Sequence, residues 1–204
     1  EKYENYKGGR AETPEDLKKQ FPIAKDILTA MGIHYLEVEG YEADDIIGTY
    51  ARLVDESCEY EGLIVSSDKD LLQLISDKVT VKLLKTKDYI MMTPTVFQDI
   101  YGVEPARMTD LKGLMGDASD NIPGVKGIGE KTAIKLLTKY HNLENLYQHL
   151  DELKGATHSK LEEGKHSAFL SREIATINKE VPVSYSLEEL TFQNKPTQSL
   201  IDLY

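Results

Sequence analysis

Short strand-like runs alternate with helix-like segments through the first half of the sequence, and this alternation limits the possible folds more than any other feature. The strand-like runs are brief and apolar, whereas the segments between them carry apolar residues at helical spacing. The predicted strands are 33–38, 62–66 and 80–84, and the predicted helices are 14–31, 41–56 and 71–75. Because strands separated by helices usually pair in parallel, the pattern predicts an α/β fold with a parallel sheet.

The second half of the sequence changes to helices alone. A Thr-Pro pair at 93–94 begins the first one, because proline is tolerated at the first helical position. The predicted helices are 94–101, 105–115, 130–140, 142–151 and 166–178. We therefore predict two domains, an α/β core at residues 1–92 and a helical lobe at residues 93–204.

Composition narrows the class of protein. Cys58 is the only cysteine, so no internal disulfide can form and a reducing cytoplasm is the expected compartment. No apolar run approaches the ~20 residues that span a bilayer, so no membrane partner is expected. The net charge of −11 argues against a nucleic-acid partner. The acids and bases are segregated along the chain, however, and their distribution matters more than their sum.

Carboxylates gather directly after two of the predicted strands. They are Glu42, Asp44 and Asp45 after the first strand and Asp68 and Asp70 after the second. The carboxyl ends of parallel strands share one edge of the sheet, where ligands bind. Acids held together there repel one another, and a hard divalent cation such as Mg²⁺ or Mn²⁺ relieves that repulsion. Each cluster alone has another explanation, since acids also favour the first turn of a helix and capped turns.

Residues 116–132 form a glycine-rich loop that leads into the predicted helix 130–140. It is not a P-loop, because Glu130 stands where the lysine would follow the second glycine. Gly127 and Gly129 would let backbone N–H groups approach a phosphate at a helix N-terminus, or would simply join two helices. Three lysines nearby would attract a phosphodiester backbone: Lys126, Lys131 and Lys135. At the other end of the loop stand Asp117 and Asp120.

The remaining reactive residues give little support to covalent or zinc catalysis. The five histidines are scattered without zinc-site spacing, and there is no Gly-x-Ser-x-Gly motif. Cys58 has no evident catalytic partner. A phosphatase built on Asp68-x-Asp70 is disfavoured, because Leu72 occupies the position where threonine or valine is wanted.

Four stretches of the sequence resemble the 5′ nuclease family, which includes bacterial DNA polymerase I nuclease domains, standalone 5′-3′ exonucleases and flap endonucleases. The stretches are Tyr6-Lys7-x-x-Arg10, 41–48, 67–71 and 111–132. The resemblance implies a PIN-like parallel α/β sheet with a helical arch and an all-helical lobe containing a helix–three-turn–helix around 111–140. It implies a cytoplasmic bacterial enzyme of DNA replication and repair.

The resemblance also implies roles for individual residues. Two Mg²⁺ or Mn²⁺ ions would be held by Glu42, Asp44, Asp45, Asp68, Asp70, Asp117 and Asp120. The catalytic pair at the base of the arch would be Lys7 and Arg10, which hold the scissile phosphate. DNA would be bound by Tyr3, Tyr6, Lys126, Gly127, Gly129, Lys131, Thr132 and Lys135, and K⁺ is a further expectation for the glycine turn. The expected partners of this monomer are 5′-flap, branched or 5′-ended DNA and an RNA primer–DNA hybrid.

One departure from the family bears on activity. Family members carry an N-terminal segment before the position of Tyr3, with the first strands of the sheet and two further aspartates. We therefore expect the chain to begin inside the arch and the complete protein to be the nuclease. The competing hypothesis is a DNA junction-binding module without catalysis.

Overall fold

The sheet has three strands: β1 (Gly62–Ser66), β2 (Val79–Leu84) and β3 (Tyr89–Met92). The structure is a computed structural model, and it describes residues 12–192 and 198–201. β1 and β2 pair in parallel, with Gly62 opposite Val79 and Ser66 opposite Leu83. β2 and β3 form an antiparallel hairpin at the other edge. The prediction of a parallel sheet is thus confirmed for β1 and β2, and β3 is an antiparallel strand that the sequence pattern did not indicate.

Helices make up most of the rest of the described chain. They are α1 (Glu15–Lys18), α2 (Gln20–Ala30), α3 (Ala43–Glu56), α4 (Pro94–Tyr101), α5 (Met108–Met115), α6 (Glu130–Tyr140), α7 (Leu143–Gln148), α8 (Gly155–Glu163), α9 (Lys165–Ala175) and α10 (Gln198–Ile201). Short 3-10 helices are Asp70–Leu74, Pro105–Arg107 and Leu150–Glu152. Within this described part, no helix combines the length and apolar character needed to cross a bilayer.

Two predictions for the N-terminal part were wrong. The single helix predicted for 14–31 is interrupted at Lys19, three residues before Pro22. Proline has no N–H and its ring conflicts with the carbonyl four residues earlier, which accounts for the interruption. The strand predicted for 33–38 is not formed, because no strand among residues 12–192 and 198–201 pairs with it. Alternating side chains favour a strand only where a neighbouring chain can complete its hydrogen bonds.

The main apolar core lies between the β2–β3 hairpin and the helices that follow it. Phe97, Leu111 and Leu137 are completely buried in it, together with Val81 and Met92 from the sheet. This shared core accounts for why the helical half packs on the sheet, and the predicted division at residue 92/93 stays a prediction. A smaller cluster packs α3 against β2 and the 3-10 helix that follows β1.

Helix α5 is held tightly against α9, and this contact fixes the end of α5. A Cβ built on Gly113 would lie 2.8 Å from the backbone oxygen of Ala168, so only glycine allows the two helices to approach this closely. Asp110 of α5 is buried and paired with Arg172 of α9 at 3.0 Å. The C-terminal end of α5 therefore has a defined position beside the 3-10 helix Asp70–Leu74.

Candidate metal centre

The first acidic cluster lies where α3 begins. Glu42 occupies the N-cap position with extended backbone angles, and its N–H donates to Asp45 Oδ2 at 3.3 Å. Asp45 Oδ1 accepts a second hydrogen bond from the Asn178 N–H at 2.9 Å. Asp44 Oδ1 accepts the Asp45 N–H at 3.0 Å. These contacts fix the acids at the positive end of the helix, where the macrodipole favours negative charge.

The second acidic cluster follows the carboxyl end of β1, as the sequence predicts. Asp68 is exposed, and its Oδ1 accepts the Asp70 N–H at 2.8 Å, which turns the chain into the 3-10 helix. The Asp70 side chain is more buried than that of Asp68 and points towards α5. Burial raises the pKa of Asp70 above its ordinary value, although hydrogen bonding to Lys112 opposes the shift.

The third acidic site is the bend after α5. Asp117 and Ile122 form an isolated antiparallel bridge, and Asp117 Oδ1 accepts hydrogen bonds from the Ser119 N–H at 2.8 Å and the Ser119 hydroxyl at 2.6 Å. Burial raises the pKa of Asp117, but the hydrogen bonds from Lys112 and Ser119 outweigh it and bring the value to about 2. Asp120 is buried in the same bend.

Lys112 joins the second and third sites, and sequence reasoning assigned it no role. Its side chain is 6% exposed, and its Nζ lies 2.5 Å from Asp70 Oδ1 and also contacts Asp117 Oδ2. Burial lowers the pKa of Lys112, but hydrogen bonds to Asp117 and Asp70 raise it overall, so the ammonium form is retained. No local pattern could have revealed this contact, because lysine is mostly exposed in proteins and the carboxylates that pair with it here are brought together only by the fold.

Four of the seven predicted acids face one polar pocket of about 180 Å³. They are Glu42, Asp44, Asp45 and Asp70, and residues 174–177 complete the lining of the pocket. Asp117 is connected to this group through Lys112, whereas Asp68 and Asp120 are not among the lining residues. Within residues 12–192 and 198–201, no three His, Cys, Asp or Glu side chains stand close enough together to hold one metal ion. The predicted clustering is therefore present as a shared pocket and not as a finished coordination shell.

The donor chemistry of this pocket fits a hard divalent cation. Its charged groups are carboxylates, with neither cysteine nor histidine among the lining residues. Oxygen-only donors suit Mg²⁺ or Mn²⁺ rather than zinc or copper. Burial is the main cause of the raised pKa of Asp70, and the carboxylates of Asp68 and Asp117 add to it, so an added cation would relieve the repulsion among these acids.

The glycine turn lies at the start of α6, as predicted. Gly127 has a left-handed backbone (φ +79°), and Gly129 is the N-cap of α6. The buried side chains of Val125 and Ile128 anchor the turn, which leaves the two glycines exposed. Lys160 of α8 donates to the Gly127 carbonyl at 3.2 Å, a cation that the linear sequence did not associate with this turn.

The lysines predicted to accompany the turn are exposed around it. Lys126, Lys131 and Lys135 all face solvent, and Thr132 is partly buried in the first turn of α6. The remaining predicted site residues lie outside the described part of the chain: Tyr3, Tyr6, Lys7 and Arg10.

Comparison with known proteins places the chain in a family. Residues 1–102 match the family model of the 5′-3′ exonuclease N-terminal resolvase-like domain, and residues 103–198 match that of the 5′-3′ exonuclease C-terminal SAM fold. DNA polymerase I of Bacillus caldotenax is 42% identical over 207 residues, covering all of this chain and 24% of that protein. DNA polymerase I of Bacillus subtilis is 43% identical over 205 residues, covering 99% and 23%. The chain thus spans about a quarter of the length of these relatives.

Solved structures agree on the fold. Zinc-bound T5 5′-exonuclease superposes with a TM-score of 0.70 at 24% identity, over 87% of this chain and 69% of that one. The catalytic core of Rad2 in complex with DNA gives a TM-score of 0.54 at 19% identity, over 95% and 71%. The predicted fold class, a PIN-like nuclease sheet followed by a helical lobe, is confirmed. The chain therefore belongs to the 5′-3′ exonuclease family.

Proposed function

We propose that the complete protein is a divalent-metal-dependent 5′ nuclease, which hydrolyses DNA phosphodiester bonds at 5′ ends and 5′ flaps. The observation that carries this proposal is the shared pocket, in which acids from the start of α3 meet Asp70 from the end of β1. Family membership supports the same reaction. The relatives named DNA polymerase I support a place in DNA replication and repair, in the bacterial cytoplasm.

We propose two Mg²⁺ or Mn²⁺ ions for this centre. Four of the proposed ligands, Glu42, Asp44, Asp45 and Asp70, line the pocket. The other proposed ligands are Asp68, Asp117 and Asp120, and some of the seven would act through water. When bound, two ions in such a site activate the attacking water and stabilise the leaving oxygen.

The protein's own groups set up this chemistry. The hydrogen bonds from the Glu42 and Asn178 N–H groups orient both oxygens of Asp45 before any ligand arrives. Because Asp45 is already oriented, less reorganisation is needed when a charged group is bound beside it.

We propose that the glycine turn grips duplex DNA away from the cut. The exposed backbone at Gly127 and Gly129 allows close approach of a phosphate, and an N–H dipole at the start of α6 favours it. The lysines there add attraction that does not depend on base sequence. Lys126, Lys131 and Lys135 are proposed for this role, with Thr132 and the additional Lys160. A K⁺ ion in this turn would have to compete with Lys160 for the Gly127 carbonyl.

The residues at the N-terminus complete the proposal by family resemblance. Lys7 and Arg10 would hold the scissile phosphate, and Tyr3 and Tyr6 would stack on an unpaired base. Base stacking of this kind contributes ~1–3 kcal/mol per base. Branched DNA and RNA primer–DNA hybrids are proposed substrates of the protein acting as a monomer.

Cleavage of a labelled 5′-flap substrate by the complete protein tests this function. We expect release of short 5′ products with Mg²⁺ or Mn²⁺ and none with EDTA. Asp68→Asn should lower turnover by more than ~100-fold, because it removes a proposed ligand charge. Asp99→Asn, the same change at an exposed position on α4, is the matched control and should cleave normally. Unchanged turnover of Asp68→Asn would contradict the proposal, and binding in EDTA without cleavage under any divalent ion would favour the junction-binding module.

A further inference from the structure

Lys112 is an unusual lysine because it is buried and makes ion pairs with two carboxylates at once. Its Nζ lies 2.5 Å from Asp70 Oδ1 and contacts Asp117 Oδ2. Lysine is rarely this buried unless it is paired, since an unpaired ammonium loses its hydration. The two acids belong to different elements, the 3-10 helix after β1 and the bend after α5. Lys112 therefore connects two parts of the proposed metal centre.

The contact offsets the repulsion between two carboxylates that the fold brings together. Asp70 and Asp117 approach the same point, and like charges brought together destabilise the folded chain. One ammonium between them offsets this repulsion and uses two of its three N–H donors. A divalent cation would offset the same repulsion, but it would need the same carboxylate oxygens. The ammonium and the metal ion cannot both occupy the space between Asp70 and Asp117.

We infer that Lys112 is a positioning residue: it holds Asp70 and Asp117 together while no metal is bound, and it gives up these oxygens when a divalent cation binds. The inference rests on the proposed function, since it assumes that these acids are metal ligands. Its consequence is that the folded site does not depend on metal for its assembly. Lys112 and the divalent cation act as alternatives for the same two side chains.

Thermal unfolding of the complete protein in EDTA and in saturating MnCl₂ tests this inference. Lys112→Met keeps much of the side chain's length and removes its charge. We expect its melting temperature to fall by about 5 °C or more in EDTA, and Mn²⁺ to restore at least half of that loss. Lys139→Met is the matched control, because Lys139 is also ion-paired, with Glu152 at 3.0 Å, but on the exposed surface of α6. The small change in the melting temperature of Lys139→Met should be the same in EDTA and in MnCl₂.

A double variant separates a charge effect from simple packing. If Lys112 offsets the acids, then Lys112→Met/Asp117→Asn should be more stable in EDTA than Lys112→Met alone, because one repelling charge has been removed. This comparison also covers the case in which Lys112→Met fails to fold in EDTA, since the double variant should then fold. An equal or lower stability of the double variant would overturn the inference, and so would a Lys112→Met loss that Mn²⁺ leaves unchanged.

The two proposals fail in different ways. If the wild-type protein binds Mn²⁺ and cleaves DNA while Lys112→Met shows a loss that does not depend on metal, only the role of Lys112 is wrong. If the wild-type protein neither binds Mn²⁺ by calorimetry nor cleaves, both the proposed function and the role of Lys112 are wrong.

Discussion

At the scale of single residues, Arg172 shows how one side chain connects three helices. From α9, its Nη1 donates to Asp110 of α5 at 3.0 Å, and its two terminal nitrogens donate to Glu144 of α7 at 2.9 and 2.6 Å. The pKa values of the two acids shift in opposite directions. Hydrogen bonding to Arg172 lowers the pKa of the half-exposed Glu144, whereas burial raises the pKa of Asp110. The contribution of Glu144 to stability should therefore depend on pH in a defined direction.

Glu144→Gln tests that direction. The folded pKa of Glu144 lies below its ordinary value of 4.5, so the folded protein binds fewer protons there than the unfolded chain. The stabilisation is present above the unfolded pKa and is lost as the pH falls through the folded pKa. After discounting for solvent screening, we expect a loss of about 0.5 kcal/mol at neutral pH, and a smaller loss at a pH of about 3. Urea unfolding at both pH values measures it, and an equal loss at both would contradict the assignment.

At the scale of elements, the bend after α5 depends on two glycines that meet back to back. Gly116 and Gly124 both have left-handed backbones, with φ of +70° and +60°. A Cβ built on Gly124 would lie 2.2 Å from the Gly116 nitrogen. The Val125 N–H also donates to the Leu114 carbonyl at 2.8 Å. This close crossing holds Asp117 beside Lys112.

Gly124→Ala should therefore destabilise the folded protein by more than the strain at its backbone angle alone. Gly155→Ala is the matched control, because Gly155 has a similar φ of +65° but open space where the Cβ would lie. We expect about 1 kcal/mol of destabilisation for Gly155→Ala and about 3 kcal/mol or more for Gly124→Ala, since the latter adds a backbone clash to the same strain. Denaturant midpoints measure both. Equal losses would show that the close crossing does not matter.

The same scale shows what sequence patterns could and could not predict. Helices α3, α4 and α6 follow from local signals, such as Thr93 capping α4 and the apolar stripe of α6. The position of Asp68 and Asp70 after β1 follows from strand order alone. The failures involve pairing with distant residues. The 33–38 segment needed a partner strand, and the contacts of Lys112 and Lys160 join residues that only the folded chain brings together.

At the scale of the whole molecule, the arrangement of charge matters more than its sum. The chain carries a net charge of −11, yet exposed lysines surround the glycine turn and acids line the pocket at the start of α3. A strongly acidic protein can bind DNA when its lysine and arginine side chains face the DNA phosphates and cations screen its carboxylates. Function of this kind requires divalent cations to bind at the acidic pocket rather than elsewhere on the acidic surface.

The position of Mn²⁺ in crystals of the complete protein, found from its anomalous scattering, tests this claim most directly. We expect Mn²⁺ between the α3 acids Glu42 and Asp45 and the carboxylate of Asp70, with Lys112 Nζ moved away from Asp70. Mn²⁺ bound only at other acidic surfaces, with Lys112 still between Asp70 and Asp117, would contradict the account.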